Sequence, residues 1–268
     1  MEPDFPAGTL PPASTPAVVI PSAGVPLPGV LHLPAGSGPH PAVVLLHGFP
    51  GNERNFDLAQ HLRRAGFATL VFHYRGSWGA DGSWSWQHVL DDSAAAVAWV
   101  REQAGDHRLD ATRLAVVGHS LGGFAALTTA AADPAIPAVA SITAFDVGWA
   151  GVASAQDGGL RAVFEEAFDG QLLPLRGTSG KALVDEMVAA GPKWRLADRA
   201  TALADRAVLL VGATLDADAP AEQHHHPLVE AYGAIDRLEH CAFPTDHALS
   251  DHRLALGQVL VEFLGKHL

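Results

Sequence analysis

The hydrophobic pattern of the chain alternates between two kinds of segment. Short runs of apolar and β-branched residues, bounded by Gly and Pro, indicate strands buried on both faces. Longer segments, in which apolar residues recur every three or four positions, indicate amphipathic helices. The predicted strands cover residues 17–20, 26–34, 42–48, 67–74, 113–118, 138–145, 207–213 and 234–241. The predicted helices cover residues 55–66, 87–103, 120–132, 159–170, 181–191, 221–233 and 250–267.

Strands and helices alternate from residue 42 onward. This order predicts an α/β fold with a mostly parallel sheet of about eight strands and helices on both faces. We expect one domain over residues 1–268, in which residues 1–15, rich in Pro, Ala, Ser and Thr, form a loose arm. Residues 146–205 contain no convincing strand, and ordinary connections are only about 4–6 residues long. This stretch is therefore predicted to be a helical cap insertion over one edge of the sheet.

Composition narrows the class of protein. The chain has 268 residues, 48% hydrophobic and 17% charged, and this suits a soluble globular protein with a substantial core. Its formal charge of −12 argues against a nucleic-acid partner, because binding phosphates needs clustered Lys and Arg. The N-terminus lacks the pattern of a signal peptide, and no apolar run approaches the roughly 20 residues of a membrane helix. The only cysteine, Cys241, cannot form an internal disulfide. We expect a cytoplasmic protein without a membrane partner.

A lone serine stands between two glycines where a predicted strand meets a predicted helix. The segment is Gly118-His119-Ser120-Leu121-Gly122. An immediate turn from strand to helix strains the backbone at the serine and leaves no space for side chains two positions away. It also exposes the Ser120 hydroxyl at the carboxyl edge of the sheet, beside helix N–H groups that can bind an oxyanion. The segment resembles the nucleophile elbow of the α/β-hydrolases.

A serine nucleophile needs a histidine that takes its proton and a carboxylate that orients the histidine. In α/β-hydrolases these residues follow in the order serine, acid, histidine. The segment "TDHALSDHR" after the last strand resembles the histidine loop of the family, and this resemblance implies His247 as the base. His240, on the predicted strand, and His252, in the predicted final helix, are less well placed.

Three aspartates are candidates for the acid. The segment "LLVGATLDADAP" resembles the acid turn of the family, which implies Asp216, with Pro220 four residues later. The gap between Gly212 and Asp216 is one residue longer than the family pattern, so Asp218 stays an alternative. Asp146, which follows the strand after the nucleophile helix, is the third candidate.

The resemblance also implies an oxyanion hole and substrate contacts. One N–H group is that of Leu121, the residue after the nucleophile. The other is that of Phe49, because His47-Gly48-Phe49 resembles the His-Gly-x loop of the family. We expect His47, His119 and Phe145 to contact the substrate.

The resemblance to α/β-hydrolases covers nearly the whole chain, and "YRGSWG" and "TDHALSDHR" favour the esterase and prolyl-oligopeptidase-like branch, here without a propeller. Dienelactone hydrolases carry cysteine, and epoxide hydrolases and haloalkane dehalogenases carry aspartate, where this chain has Ser120. The implied activity is that of a serine hydrolase that cleaves carboxylic esters with small or short-chain acyl groups through an acyl-enzyme. The alternatives are an aminopeptidase or amidase, an acyltransferase and a non-catalytic receptor.

The expected partner of the site is a small-molecule ester or amide, with no cofactor and no metal. Three consecutive histidines, residues 224–226, are the most conspicuous metal-ligand candidates. Adjacent residues on a helix point in different directions, so these histidines do not make a preformed metal site.

Overall fold

A computed structural model describes residues 4–6 and 8–268. Its centre is an eight-stranded sheet in the order β1-β2-β4-β3-β5-β6-β7-β8. β2 pairs antiparallel with both β1 and β4, and all the other pairings are parallel. The strands are β1 (Ala17–Ser22), β2 (Val25–His32), β3 (His40–Leu46), β4 (Ala68–Phe72), β5 (Leu109–His119), β6 (Ala138–Ile142), β7 (Ala207–Ala213) and β8 (Leu238–Phe243). The predicted α/β fold and the mostly parallel sheet are confirmed.

Nine α-helices accompany the sheet in the described part of the chain. They are α1 (Phe56–Arg64), α2 (Trp86–Glu102), α3 (Leu121–Ala132), α4 (Val147–Gln156), α5 (Gly158–Asp169), α6 (Gly180–Ala190), α7 (Ala221–His224), α8 (His226–Tyr232) and α9 (Arg253–His267). None of these described helices combines the length and the apolar character that crossing a bilayer requires.

The two faces of the sheet are covered by different helices. Successive residues of a strand point to opposite faces, so the uninterrupted apolar run of β3 supplies both cores. Val43 and Leu45 pack in a cluster with residues of α1 and α9, including Leu58 and Leu260. Val44 and Leu46, in the same strand, belong to the second cluster, which also contains residues of α2, α3 and the segment after β6.

Residues 146–205 form helices and no strand. The segment holds α4, α5 and α6, followed by two short 3-10 helices at residues 191–194 and 197–203. α4 was not predicted, because its apolar residues are mostly small and its sequence has weak periodicity. Asp146 begins α4 by accepting a hydrogen bond from the Trp149 N–H through its side chain. The segment is joined to the loop after β4 by an isolated bridge between Ser77 and Leu175.

Several predicted elements differ from those in the structure; β5, for example, begins at Leu109 rather than at residue 113. Residues 221–233 form two helices rather than one, with His225 between them. Pro227 explains the break, since proline lacks an N–H group and its ring crowds the preceding turn. β8 begins at Leu238 rather than at residue 234, because Ile235 N–H and Leu238 N–H take part in turns with Tyr232 and Ile235 carbonyls.

The described part of the N-terminal arm contacts the rest of the molecule. Ser14 forms a β-bridge with Leu33. The Asp4 carboxylate lies 2.8 Å from the Arg63 guanidinium and 3.1 Å from that of Arg64. The prediction that residues 1–15 form a loose arm includes residues 1–3 and 7, which lie outside the described residues.

Candidate active site

Ser120 lies in a strained turn between β5 and α3. Its φ of 57° and ψ of −121° put it in a conformation that non-glycine residues rarely adopt. Hydrogen bonds from neighbouring strands and loops hold this conformation. The Ser120 N–H donates to the Ile142 carbonyl at 2.8 Å, and the Ser120 carbonyl accepts from the Phe145 N–H at 3.2 Å.

Close backbone packing explains why glycine flanks this serine. A Cβ atom on Gly118 would lie 1.9 Å from the Gly122 carbonyl oxygen. A Cβ atom on Gly122 would lie 2.1 Å from the Leu46 carbonyl oxygen, at the end of β3. A Cβ atom on Gly48 would lie 3.0 Å from that of Ser120. No larger residue fits at Gly118 or Gly122 unless the backbone moves, so these contacts set the position of the Ser120 side chain.

His247 and Asp216 are joined by a short hydrogen bond. The His247 Nδ1 and Asp216 Oδ2 atoms lie 2.7 Å apart. The other carboxylate oxygen of Asp216 accepts hydrogen bonds from the N–H groups of Asp218 at 2.9 Å and Ala219 at 2.7 Å. A carboxylate only accepts, so Nδ1 of neutral His247 carries the proton and Nε2 keeps a lone pair. An imidazole held in this way can accept a proton from a nearby hydroxyl.

The two alternative acids make different contacts. Asp218 is exposed. It contacts Asp216 through its backbone N–H, which donates to the Asp216 carboxylate. The Asp146 carboxylate accepts from the N–H groups of Trp149 at 2.9 Å and Leu196 at 3.1 Å. Burial raises the pKa of Asp146. Of the three candidates, Asp216 is therefore the one whose carboxylate binds the His247 ring.

His119 supports the loop that carries His247. The carbonyl oxygen of His247 lies 2.9 Å from the His119 Nε2 atom and 3.1 Å from the Thr143 hydroxyl, which donates to it. His119 is buried, and the loss of solvent, followed by the neighbouring His247, lowers its pKa to about 3. A neutral His119 ring whose Nε2 carries the proton donates to this carbonyl.

His47 is a second buried histidine beside the site. Its Nδ1 atom lies 2.8 Å from the Gly48 carbonyl oxygen, and its ring centre is 4.4 Å from that of Tyr74. Burial lowers the pKa of His47 to about 3. Of the three residues predicted to contact the substrate, Phe145 lines the cavity. His47 and His119 are not among the described residues of the cavity wall.

A cavity of about 140 Å³ opens beside Ser120 and His247. Its wall combines the candidate nucleophile, the candidate base and both predicted oxyanion-hole residues with aromatic side chains. The lining residues are Phe49, Trp86, Ser120, Leu121, Phe145, Phe164, Ala167, Phe168, Gln171, Asp218 and His247. Sequence reasoning did not identify Phe164 and Phe168 as cavity residues, although their spacing of four on a predicted helix indicated a shared face.

Two backbone N–H groups face no protein acceptor at this site. Leu121 is the first residue of α3, and the N–H of a first helical residue has no partner within its own helix. The Phe49 N–H has no backbone acceptor among the described residues. These are the two N–H groups that the sequence predicts as donors of the oxyanion hole.

One group of side chains has a composition that suits a metal ion. Single ligand atoms of Asp216, Asp218 and His247 lie within 4.8 Å of one another. Asp216 and His247 are already hydrogen-bonded to each other, and Asp218 is exposed to solvent. This arrangement is explained without a metal ion, and nothing else about the group indicates a cofactor.

Because His47 and His119 are buried with lowered pKa values, we expect the free energy of unfolding to fall in mild acid. Below pH 6.5 the unfolded chain protonates His47 and His119, whereas the folded chain resists protonation until about pH 3. Their contribution is therefore complete above about pH 6.5 and is lost as the pH falls toward the folded pKa. Each histidine can lower the free energy of unfolding by up to about 1.4 kcal/mol per pH unit in this window.

Urea unfolding followed by circular dichroism at pH 7.5 and 5.5 measures this dependence. The His119→Gln variant should show a shallower dependence on pH than the unmodified protein. His240→Gln, at an exposed histidine on β8, is the matched control and should keep the original dependence. Equal free energies of unfolding at the two pH values would contradict the expectation.

Comparison with known proteins identifies the fold family of the chain. Residues 41–234 match the model of the α/β-hydrolase fold family, and this is more than half of the chain. An esterase from Pyrococcus furiosus superposes with a TM-score of 0.71 at 16% identity, covering 95% of this chain and 92% of that one. Est1E from Butyrivibrio proteoclasticus, in a structure with ferulic acid bound, gives 0.70 at 20% identity, covering 94% and 99%.

The chain is also similar in sequence to a 2,6-dihydropseudooxynicotine hydrolase from Paenarthrobacter nicotinovorans. The two are 32% identical over 135 residues, which is 49% of this chain and 35% of the hydrolase. The chain thus spans about a third of that relative's length. From the family model, the sheet order and the strained serine turn, we conclude that the chain belongs to the α/β-hydrolase fold family.

Proposed function

We propose that the chain is a serine hydrolase that cleaves carboxylic esters with small acyl groups by means of Ser120, His247 and Asp216. The observation that supports this most is the pairing of His247 Nδ1 with Asp216 at 2.7 Å, beside a cavity that Ser120 also lines. The hydrolase and esterase names of the relatives agree with the proposal.

Acylation begins at the Ser120 hydroxyl. As Oγ attacks the ester carbonyl carbon, Nε2 of His247 accepts the hydroxyl proton. Asp216 keeps the imidazole in the tautomer with Nδ1 protonated and stabilises the imidazolium that forms. The carbonyl oxygen becomes an oxyanion, and the N–H groups of Leu121 and Phe49 donate to it.

The alcohol leaves first, and the acyl-enzyme is then hydrolysed. When the bond from carbon to the leaving oxygen breaks, His247 donates its proton to the departing alkoxide, and the acyl group stays on Ser120. Water next attacks the acyl-enzyme while His247 takes the proton of the water molecule. Carbon–Oγ cleavage releases the carboxylic acid, and the proton returns to Ser120.

Two features favour small esters over peptides. A cavity of about 140 Å³ holds only a small group. Glu165 and Glu166, which from the sequence could bind a charged amino terminus, do not appear in the described cavity wall. The Glu165 carboxylate instead pairs with Arg161 at 2.9 Å. The small cavity and the pairing of Glu165 with Arg161 support esters as the substrate class.

The nucleophile and base have a direct kinetic test. Ser120→Ala and His247→Ala should each lower kcat on a short-chain ester by about 10⁴-fold or more, because each removes a group that acts in the transition state. The double variant should lose little more than either single variant. Turnover is measured with p-nitrophenyl acetate, and circular dichroism checks the fold.

Ser37→Ala, at an exposed turn serine, and His240→Gln, at an exposed histidine, are the matched controls. Both should keep turnover near that of the unmodified protein. Near-normal turnover in His247→Ala would contradict the choice of base.

The three candidate acids also give different expected results. Asp216→Asn should lower kcat by about 10⁴-fold, because the asparagine amide group favours the wrong His247 tautomer. Asp218→Asn should cost far less, since it keeps the backbone N–H that binds Asp216. Asp146→Asn should mainly reduce thermal stability, because its amide has one acceptor oxygen in place of the two that bind the Trp149 and Leu196 N–H groups. If Asp218→Asn or Asp146→Asn abolishes turnover and Asp216→Asn does not, the acid is misassigned.

A further inference from the structure

The cavity beside Ser120 has an unusually aromatic wall. Five of its eleven lining residues are Phe or Trp, and they come from four separate parts of the chain. Phe49 follows β3, Phe145 follows β6, and Trp86 begins α2. Phe164 and Phe168 lie on α5, four positions apart and therefore on one face of that helix.

The aromatic rings of this wall hold one another in a fixed arrangement. Phe164 and Phe168 are nearly parallel, with 12° between their planes and 5.9 Å between their centres. Phe145 stands almost perpendicular to both, at 87° and 81°. Phe49 meets Phe168 edge-on at 5.3 Å. These contacts fix the rings before any ligand binds, so the wall offers both ring faces and ring edges to an incoming group.

The charges at the cavity further restrict what can bind. Among the described residues of its wall, none is Lys or Arg, and the polar side chains away from Ser120 and His247 are Gln171 and Asp218. The exposed Asp218 carboxylate would repel an anionic group. A carboxylate or phosphate on the substrate would have no positive partner here. The wall therefore disfavours an anionic group and accepts an uncharged one.

The cavity volume matches one ring. An apolar cavity of about 150 Å³ in a protein core binds benzene, and this cavity measures about 140 Å³. Planar aromatic groups prefer edge-to-face or offset contacts with other rings. A saturated ring of the same carbon number is thicker and has no π-face, so it gains none of these contacts. Size and geometry thus favour a single flat ring over a fatty chain.

We propose that the cavity is a specificity site for esters that carry one uncharged aromatic ring a few bonds from the scissile carbonyl. The proposal rests on the esterase function proposed above and narrows its substrate class. Phe145, Phe164 and Phe168 are the specificity-determining residues, because their rings form the crossed faces against which the substrate ring packs.

Matched pairs of esters test this preference. Methyl 3-phenylpropanoate is compared with methyl 3-cyclohexylpropanoate, and 2-phenylethyl acetate with 2-cyclohexylethyl acetate. The ring lies two carbons from the ester group in every case, so the intrinsic reactivity within each pair is closely similar. The two pairs place the ring on the acyl side and on the alcohol side. Acid release in a pH-stat gives kcat/KM, and methyl butanoate serves as the reference ester without a ring.

The aromatic member of at least one pair should have a kcat/KM at least about fivefold above its saturated partner. Each favourable ring pair is worth about 2- to 13-fold, and the crossed rings offer more than one. In Phe164→Leu, which removes a half-buried ring of the wall, the ratio should fall at least about threefold. Phe168→Leu should lower it in the same direction. Phe56→Leu, at an aromatic residue outside the cavity that is 37% exposed, is the control and should keep the ratio.

The reference ester separates this proposal from the function on which it rests. If methyl butanoate is hydrolysed but neither pair shows an aromatic preference, the specificity proposal is wrong and the esterase function stands. If Phe164→Leu fails to hydrolyse methyl butanoate, the ratio in the unmodified protein and in Phe168→Leu decides. If no ester is hydrolysed by the unmodified protein, the esterase function and this proposal are both wrong.

Discussion

The site depends on the close contact between the β5–α3 turn and the end of β3. The backbone atoms of Gly118, Gly122 and Leu46 approach so closely that a single Cβ atom on either glycine would overlap a carbonyl group. This contact forces the chain from strand into helix within one residue, and that residue is Ser120. Its positive φ is the cost of the turn, which hydrogen bonds to Ile142 and Phe145 offset. The hydroxyl position and the free Leu121 N–H both follow from this geometry.

The remaining parts of the site come from loops at the same edge of the sheet. Parallel strands end at one edge, so the loops after β6, β7 and β8 meet the turn that carries Ser120. The loop after β7 brings Asp216, and the loop after β8 brings His247. His119 and Thr143 form hydrogen bonds with the His247 carbonyl oxygen. Because His119 ends the strand that precedes Ser120, its bond connects the histidine loop to that strand. The assembly is a consequence of sheet order combined with a few well-placed hydrogen bonds.

The sequence predicts this framework well because local patterns determine it. Buried parallel strands require continuous apolar runs, as in β3 and β7, and the serine turn requires glycine at Gly118 and Gly122 for steric reasons. The fold and the mostly parallel sheet can therefore be predicted from the sequence. The Asp216–His247 contact required the structure, because the extra residue after Gly212 left Asp218 open as an alternative.

The segment between β6 and β7 was less predictable. α4 is rich in small residues and lacks a strong hydrophobic stripe. The aromatic wall joins Phe49, Phe145 and Phe168 from distant positions, and no local pattern shows that their rings meet. The proposed substrate preference consequently depends on tertiary contacts, whereas the residues proposed for the reaction lie in short motifs.

The central claim is that Ser120 is a nucleophile activated by His247. Reaction with a fluorophosphonate, followed by mass spectrometry of the intact protein and of its peptides, tests this claim most directly. We expect one covalent adduct located on Ser120, formed far more slowly in a folded His247→Ala variant. A folded protein that forms no adduct, or one that is modified at another residue while Ser120 stays free, would contradict it.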